Sequence, residues 1–276
     1  MTLAVGLWGD LPALTLAGLF AVAMAAGFVD SIAGGGGLLC VPALLAAGLT
    51  PAAMLATNKL QGCFGTLSAS INFVRAGHVD PRDMAPVIAT VFVGAGAGAV
   101  AVQRLDPAFL GGVLPLLLIA VAGYFLAAPG IGGPPRRRIL SPAGFALTLA
   151  PLLGFYDGFF GPGTGSFLML VLVAFVGLDM LTATAETKVL NFTSNLASLL
   201  VFLLGGKIVW LAGLVMAVGQ FAGARLGSHL VIARGAAVVR PCLVAGSLAI
   251  TVKLIAGDEA NWLHRAGVVL WQWVAT

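Results

Sequence analysis

Charged residues are scarce in this chain, and their scarcity excludes an ordinary water-soluble domain. Lys, Arg, Asp and Glu together make up 9% of the 276 residues, whereas hydrophobic residues make up 60%. A soluble domain carries about 25% charged residues. Apolar runs near the ~20-residue length that crosses a bilayer recur along most of the sequence. The composition therefore predicts an all-α polytopic membrane protein embedded in a lipid bilayer.

Several chemical signatures are also missing. The three cysteines show neither paired nor metal-ligand spacing, and the three histidines lie near predicted loops without such spacing. No nucleophile elbow, phosphate-binding loop or HExxH motif occurs. We therefore expect no catalytic residues, no metal site and no cofactor. The net charge of +4 sits mostly in loops, so it bears on membrane topology and does not predict a nucleic acid partner.

A sequence duplication organises the chain. The stretch GFVDSIAGGGG, which begins at Gly27, is matched by GFYDGFFGPGTG, which begins at Gly154. An apolar segment with one lysine follows each stretch, Lys59 in the first copy and Lys188 in the second. A duplicated half-domain is a common construction of transporters. We therefore predict a first transmembrane repeat at 1–130, a cytoplasmic linker at 131–141, a second repeat at 142–256 and an interfacial tail at 257–276.

Each half is expected to contain about five helical segments, with glycine-broken helices. The predicted segments lie at 11–33, 36–47, 51–74, 84–102 and 108–128, and at 143–160, 163–176, 178–204, 209–231 and 236–255. Within the fourth segment, the run GAGAGA that begins at Gly94 predicts close packing against another helix, because small residues let helix backbones approach.

The charged loops predict how the halves are oriented. Under the positive-inside rule, Arg136, Arg137 and Arg138 place the linker in the cytoplasm, so we expect the inner (cytoplasmic) membrane. If all segments span, each half crosses five times and the two halves are inverted relative to each other. If segments two and seven are re-entrant, each half crosses four times and the halves are parallel. The distribution of Arg and Lys among the loops favours inversion.

The glycine breaks predict a substrate site. Glycine and proline there cannot continue a good helix, and unwound backbone in a membrane is tolerated where it lines a cavity or is buried in protein. The short helix after each break offers free N–H groups that can hold an anion. Alternatively, the glycines only let helices cross closely. The residues expected to bind are Gly34, Gly35, Gly36, Gly37, Gly161, Gly163, Thr164 and Gly165.

Two lysines in mid-segment predict where an anionic ligand would find its counter-charge. A cation at the centre of a membrane helix costs about 2.5–3.5 kcal/mol on insertion scales. Lys59 and Lys188 either form structural ion pairs with the acids near the breaks or face a shared cavity and attract an anion. Polar neighbours favour the second interpretation, and we expect them to bind as well: Asn58, Gln61, Thr187, Asn191 and Asn195.

Asp30 and Asp157 precede the two breaks at matching positions. Each could cap the following helix, pair with a lysine, or carry a proton that couples transport to an ion gradient. Both are therefore expected as ion-coupling or ion-pairing residues. Glu186 carries the same ambiguity and has no equivalent in the first half.

Taken together, the motifs resemble the TauE/SafE-type permeases, also called the toluene-sulfonate uptake permease (TSUP) family or sulfite exporters. The resemblance covers about residues 16–255. It rests on GFVDSIAGGGGLLCVP, TNKLQGCFGTLSA and RAGHVD in the first half, and on GFYDGFFGPGTGSF, TKVLNFTSNLASLLVF and GARLGSHL in the second. One departure is Pro162 with Thr164 where the first break has Gly35 and Gly37, so the two breaks need not hold an anion equally well.

The resemblance implies a secondary transporter for sulfur-containing oxyanions such as sulfite or small organosulfonates. We expect export coupled to an ion gradient, with protons as the ion, and a homodimer is one assembly to consider. Uptake of sulfonates or carboxylates, an anion channel and a membrane scaffold remain alternatives.

Overall fold

A computed structural model describes residues 11–106, 109–113 and 138–235, and helices dominate these ranges. The described α-helices are α1 (Ala13–Ala33), α2 (Gly36–Ala46), α3 (Pro51–Arg75), α4 (Ala85–Gln103), α5 (Pro142–Leu147), α6 (Leu149–Phe159), α7 (Thr164–Val171), α8 (Met180–Gly205) and α9 (Trp210–Arg234). A π-helical turn, Leu172–Val176, continues α7. The predicted all-α fold is confirmed. The tail, the tenth segment and most of the linker and of the fifth segment lie outside the described residues.

Among the described helices, four are long and apolar enough to cross a membrane: α1, α4, α8 and α9. Their outward faces expose large apolar side chains, among them Val93, Leu204 and Val218. Such a surface suits contact with lipid, because the hydrocarbon core is as apolar as the side chains. α3 spans 25 residues but is less apolar overall, because it carries a series of polar side chains. Those side chains are buried: Thr57, Asn58, Lys59, Gln61, Thr66, Ser68, Ser70 and Asn72.

The two glycine breaks end or begin helices as the sequence predicts. Gly34 adopts a left-handed conformation with φ +83°, and its N–H donates to the Asp30 carbonyl at 2.8 Å, which closes α1. Gly161 and Gly163 have φ +98° and +85° and precede α7. A side chain is strained at such angles, so glycine is required at these turns.

The sixth segment differs from the single helix expected at 143–160. α5 and α6 are separate helices that meet at Thr148, where φ is −120° and ψ is −79°. The Thr148 hydroxyl donates to the Gly144 carbonyl at 2.7 Å. Pro151, three residues further on, has no N–H to donate to the Leu147 carbonyl, and its ring crowds that carbonyl, so the regular helical hydrogen-bond pattern is broken at this turn. Pro151 is the sequence signal for this break, and the expectation of a single helix at 143–160 did not use it.

Among the described helices, α1 packs closely against α9 and α4 against α6, each across the two halves. In the first pair, Gly219 lies against Phe20 and Gly223 lies against Met24. Residue numbers rise together on both helices, so α1 and α9 run in the same direction. A Cβ on either glycine would collide with the α1 backbone.

The second pair repeats this arrangement with the halves exchanged. Gly94 of α4 lies against Pro151 and Gly98 lies against Phe155, so α4 and α6 also run in the same direction. The close packing predicted from the GAGAGA run is confirmed.

Hydrogen bonds set the direction of α3 against α9. The Val209 N–H donates to the Thr57 hydroxyl at 3.0 Å at one end, and the Asn72 amide donates to the Ser228 hydroxyl at 2.7 Å at the other. Between them, the Ser68 hydroxyl donates to a carbonyl of α9 at 3.0 Å. α1, α3 and α9 therefore run in one direction.

Candidate functional site

The two breaks cross each other at the centre of the protein. A Cβ on Gly34 would collide with the backbone of Gly165, and a Cβ on Gly165 would lie 2.6 Å from the Cα of Gly34. The Ser166 hydroxyl donates to the Ala33 carbonyl at 2.6 Å beside this crossing. Glycine is needed on both sides because the two backbones touch.

Each lysine pairs with the acid of the opposite half. The Lys59 ammonium lies 2.7 Å from Asp157 Oδ1 and also donates to the Asp157 carbonyl. The Lys188 ammonium lies 3.2 Å from Asp30 Oδ2 and also donates to the Asp30 carbonyl. Both lysine side chains are 1% exposed. Both lysines therefore form the ion pairs that were one of the two expectations from the sequence. A lysine can in addition contact a ligand only if it lines a cavity.

The two acids make different second contacts. Asp30 Oδ1 accepts the Gly36 N–H at 3.0 Å, which satisfies one of the free donors at the start of α2. Asp157 instead accepts the Thr164 hydroxyl at 3.2 Å and the Ser194 hydroxyl. No side-chain cap is found at the start of α7. The Thr164 N–H at the start of α7 donates to the Gly161 carbonyl at 3.2 Å instead, so the first helical N–H is satisfied by a side chain at one break and by the backbone at the other.

A cavity of about 40 Å³ lies between the breaks. A cavity needs roughly 10–15 Å³ of this kind of space per water molecule, so a small ligand is all that fits in this conformation. The wall is formed by Asp30, Gly34, Gly36, Gly37, Asn58, Lys59, Gln61, Gly62, Thr66, Asp157, Gly161, Gly163, Thr164, Gly165, Asn191, Asn195 and Gln220. Most of the residues expected to bind are thus brought to one cavity. Gly35, Thr187 and Lys188 are not on its wall.

The duplication extends to the wall itself. In α3, Gly62 and Thr66 follow Lys59 at the third and seventh positions, and in α8 Asn191 and Asn195 follow Lys188 at the same spacings. All four of these residues line the cavity. The same face of each repeat therefore contributes to one site.

Gln220 is the wall residue that the sequence analysis missed most clearly. Its side chain is 4% exposed, inserts beside Gly27 and Gly65, and donates to the Cys40 sulfur at 3.4 Å. The search relied on residues that recur in both halves, and the residue matching Gln220 in the first half is Ala95. The usable signal was the polarity itself, because an amide in the middle of an apolar span is rarely placed there without a role.

A second, wider cavity of about 830 Å³ lies at the loop between α3 and α4. It is lined by residues 77–84 together with Val74 and with Thr182 and Glu186 of α8. It shares no wall residue with the central cavity. Within the described ranges, no cluster of three or more His, Cys, Asp or Glu side chains is suited to a metal ion.

The comparison with known proteins agrees with this architecture. The sequence profile of the sulfite exporter TauE/SafE family matches residues 19–254. The chain belongs to this family. It is a multi-pass membrane transporter, and the names of the family and of its relatives indicate transport and not an enzymatic activity.

The relatives of this TauE/SafE protein are described as transporters without a stated substrate. "Probable membrane transporter protein YfcA" of Escherichia coli (strain K12) is 50% identical over 256 residues, which is 92% of this chain and 95% of the relative. "Probable membrane transporter protein ORF9" of Sinorhizobium sp is 47% identical over 247 residues, with 90% and 95% covered. "Probable membrane transporter protein YunE" of Bacillus subtilis (strain 168) is 24% identical over 242 residues, with 77% and 87% covered. No solved structure matches the chain significantly.

Proposed function

We propose that this transporter moves small sulfur-containing oxyanions, with sulfite as the leading candidate, out of the cell across the inner membrane. The observation that carries the proposal is the position of Lys59, whose buried ammonium lies on the wall of a small cavity between two glycine breaks. A buried cation, amide groups and free helix N–H groups are suited to an oxyanion that has lost part of its hydration.

The hydrogen bonds of Lys59 suggest how the anion enters. An ammonium has three N–H donors. Those of Lys59 are engaged by the Asp157 carbonyl, by Asp157 Oδ1 and, at a longer 3.4 Å, by Asn195 Oδ1. We propose that an oxyanion oxygen replaces Asn195 at the third donor, while the ion pair with Asp157 stays in place. The uncapped start of α7, at Gly165, supplies further N–H donors on the same wall.

The charge balance of the centre supports movement outward. Two lysines and two aspartates meet there, so the empty site carries no formal net charge. The loaded carrier then bears the charge of the anion alone. A membrane potential acts on such a charge with about 2.3 kcal/mol per 100 mV, and an inside-negative potential favours exit of an anion. Protons remain the ion that we propose for further coupling.

The size of the cavity supports sulfite over larger organosulfonates. A volume of about 40 Å³ accommodates a compact oxyanion more readily than one with an organic substituent. Organosulfonates or carboxylates would require a wider conformation of the same site.

We also propose that the two halves are inverted and rock about this site, which would give alternating access. The helix directions support the proposal. α1, α3 and α9 run together, and α4 follows α3 after a short loop at 76–84, so α4 returns across the membrane if both helices span it. α6 runs with α4, and α6 corresponds to α1 in the duplication. Corresponding helices then point in opposite directions.

The test is ligand-dependent stabilisation of the purified protein. A ligand that binds the folded state raises the apparent unfolding temperature by mass action. We expect sulfite to raise it in the wild type and much less in the Lys59→Met, Asp157→Asn double variant, which removes the ammonium without leaving a buried carboxylate unpaired. Equal shifts in both proteins, or none in either, would refute the site. Flux into liposomes then separates the alternatives: a channel is insensitive to a pH gradient, and a scaffold functions normally in the double variant.

A further inference from the structure

The central cavity contains two buried hydrogen-bond acceptors without a partner. They are Gln61 Oε1 and Asn191 Oδ1. Both residues line the cavity, and their exposed fractions are 1% and 5%. A buried carbonyl oxygen that has left water without gaining a donor is costly, and such groups in folded proteins call for an explanation. A ligand that only accepts hydrogen bonds, as a fully deprotonated oxyanion does, leaves them unpaired.

From these two acceptors we infer that the transported oxyanion binds in a form that carries its own proton, as hydrogensulfite does. The inference rests on the proposed function and specifies the ionic form of its substrate. The anionic oxygens face the Lys59 ammonium, and the O–H group donates to one of the two amide oxygens. A hydroxyl next to a negative charge offers both functions in one small ligand.

The nitrogens and oxygens of these two amides have different surroundings. Gln61 Nε2 donates to Asn58 Oδ1 at 2.7 Å, so its nitrogen is engaged. Asn191 directs its nitrogen toward the break, where a Cβ built on Gly165 would lie 2.7 Å from it. The wall therefore offers both hydrogen-bond acceptors and a cation.

The charges around the cavity also favour a monoanion. Its titratable wall residues are Asp30, Lys59 and Asp157, with Lys188 paired to Asp30 and Cys40 in contact with Gln220. Cys63 lies near both Lys59 and Asp157, and Tyr156 lies near Asp157. Both carboxylates are already balanced by a lysine. A dianion would add two negative charges beside two carboxylates in a poorly hydrated space, whereas a hydrogen-bearing monoanion adds one.

A metal cation would also satisfy free oxygens, but the Lys59 ammonium lies on the same wall and opposes it. We therefore treat a cation as an outcome of the test and not as a second proposal. The proton of such a ligand leaves the cell together with the anion, so it does not itself drive export, while Asp30 and Asp157 hold the lysines.

The experiment compares two probes of similar shape, sulfite and selenite, which take up their proton at different pH values. Binding to the full-length wild-type protein is measured from about pH 5.5 to 9 by thermal shift and calorimetry. We expect the affinity for total ligand to rise about tenfold per unit of falling pH above the pKa of the probe and to level off below it. The pH at which it levels off should differ between sulfite and selenite by the difference between their own pKa values.

Four results would overturn the inference. If both probes level off at the same pH, the titrating group belongs to the protein. If affinity is independent of pH or rises with it, the dianion binds. If sodium chloride stabilises the protein and choline chloride does not, the acceptors hold a cation. In these three cases the proposed function survives. If neither probe binds at any pH, the proposed function fails and the inference fails with it.

A variant pair checks the assignment of the acceptors. Gln61→Met keeps the length of the side chain and removes the acceptor, so we expect the pH dependence of sulfite affinity to weaken. Ser70→Ala is the matched control, because the Ser70 hydroxyl is also buried without a partner but does not line the cavity. Its pH profile should equal that of the wild type. If the wild type and both variants show the same pH profile, Gln61 does not accept the O–H of the ligand, and this part of the inference is wrong.

Discussion

Lys59 and Asp157, which are 98 positions apart in the sequence, form a buried ion pair at 2.7 Å. The matching residues Lys188 and Asp30 pair at 3.2 Å, with the donor now in the second half and the acceptor in the first. Each half thus supplies the lysine that balances the charge of the aspartate beside the other half's glycine break. The exchange explains why lysines can sit inside apolar segments, and it links substrate binding to the contact between the halves.

The first prediction concerns stability. Lys59→Met leaves the Asp157 carboxylate buried without its cation, and removing one partner of a buried pair typically costs about 3–5 kcal/mol. We expect a clear fall in the apparent unfolding temperature. Adding Asp157→Asn should recover most of it, because no uncompensated charge remains. Additive losses in the double variant would contradict the coupling.

The second prediction separates the two ion pairs by function. Lys59 lines the cavity and Lys188 does not. The charge-balanced variant Lys59→Met, Asp157→Asn should therefore lose sulfite affinity by about tenfold or more, since a hydrogen bond to a charged group contributes about 1.5–3 kcal/mol. Lys188→Met, Asp30→Asn should lose less, because the asparagine oxygen can still accept the N–H of α2. Titration calorimetry on both proteins checks this, and equal losses would mean that the pairs are equivalent.

The third prediction tests the crossing of the breaks. Gly34 has a left-handed φ of +83°, and a Cβ there would collide with Gly165. Gly34→Ala should therefore destabilise the protein and reduce transport. Gly35→Ala is the matched control, since a Cβ at Gly35 meets nothing within 4 Å. Thermal unfolding and liposome flux should separate the neighbours, and similar behaviour of both would refute the contact.

Much of the central site could be predicted because its residues occur in both repeats of the sequence. The breaks, the lysines and the acids recur at matched positions. Because a charged residue inside an apolar segment is energetically costly, its recurrence in both halves indicates a functional role. That each lysine pairs with the aspartate of the opposite half could not be predicted from the spacing of residues in the sequence, because it depends on how the helices of the two halves pack together. Gln220 was missed because the residue that matches it in the first half, Ala95, is apolar, so no repeated motif marked it. The interruption at Thr148 had a sequence signal, Pro151 three residues later, which the expectation of a single helix at 143–160 did not use.

The fourth prediction tests the inverted arrangement. If the halves are inverted, the loop at 76–84 and the turn at Lys207 face opposite sides of the membrane, because α8 and α9 meet at that turn. Cysteines introduced as Arg82→Cys and Lys207→Cys should then react with a membrane-impermeant thiol reagent from opposite sides. The native Cys40 and Cys63 are buried, and Cys242 is replaced by alanine in the background protein. Labelling of both sites from one side would refute the arrangement.

The fifth prediction concerns the start of α8, the helix that carries Lys188. Asp179 accepts the N–H groups of Leu181 and Thr182 at 3.0 and 3.1 Å. Partial burial opposes ionisation, but these hydrogen bonds and that of the Thr182 hydroxyl outweigh it and hold the pKa of Asp179 below its ordinary value. A carboxylate with a lowered pKa stabilises the fold above its ordinary pKa, and the contribution is lost as pH falls through the lowered value.

Asp179→Ala should therefore lower the apparent unfolding temperature at neutral pH, since loss of an N-cap costs about 1 kcal/mol. Asp179→Asn should retain most of the stability, because asparagine is an equally good N-cap. The gap between wild type and Asp179→Ala should narrow in acid as the carboxylate takes up its proton. A gap that stays constant from neutral to strongly acidic pH would show that the charge of Asp179 makes no contribution to holding α8, and with it Lys188, in place.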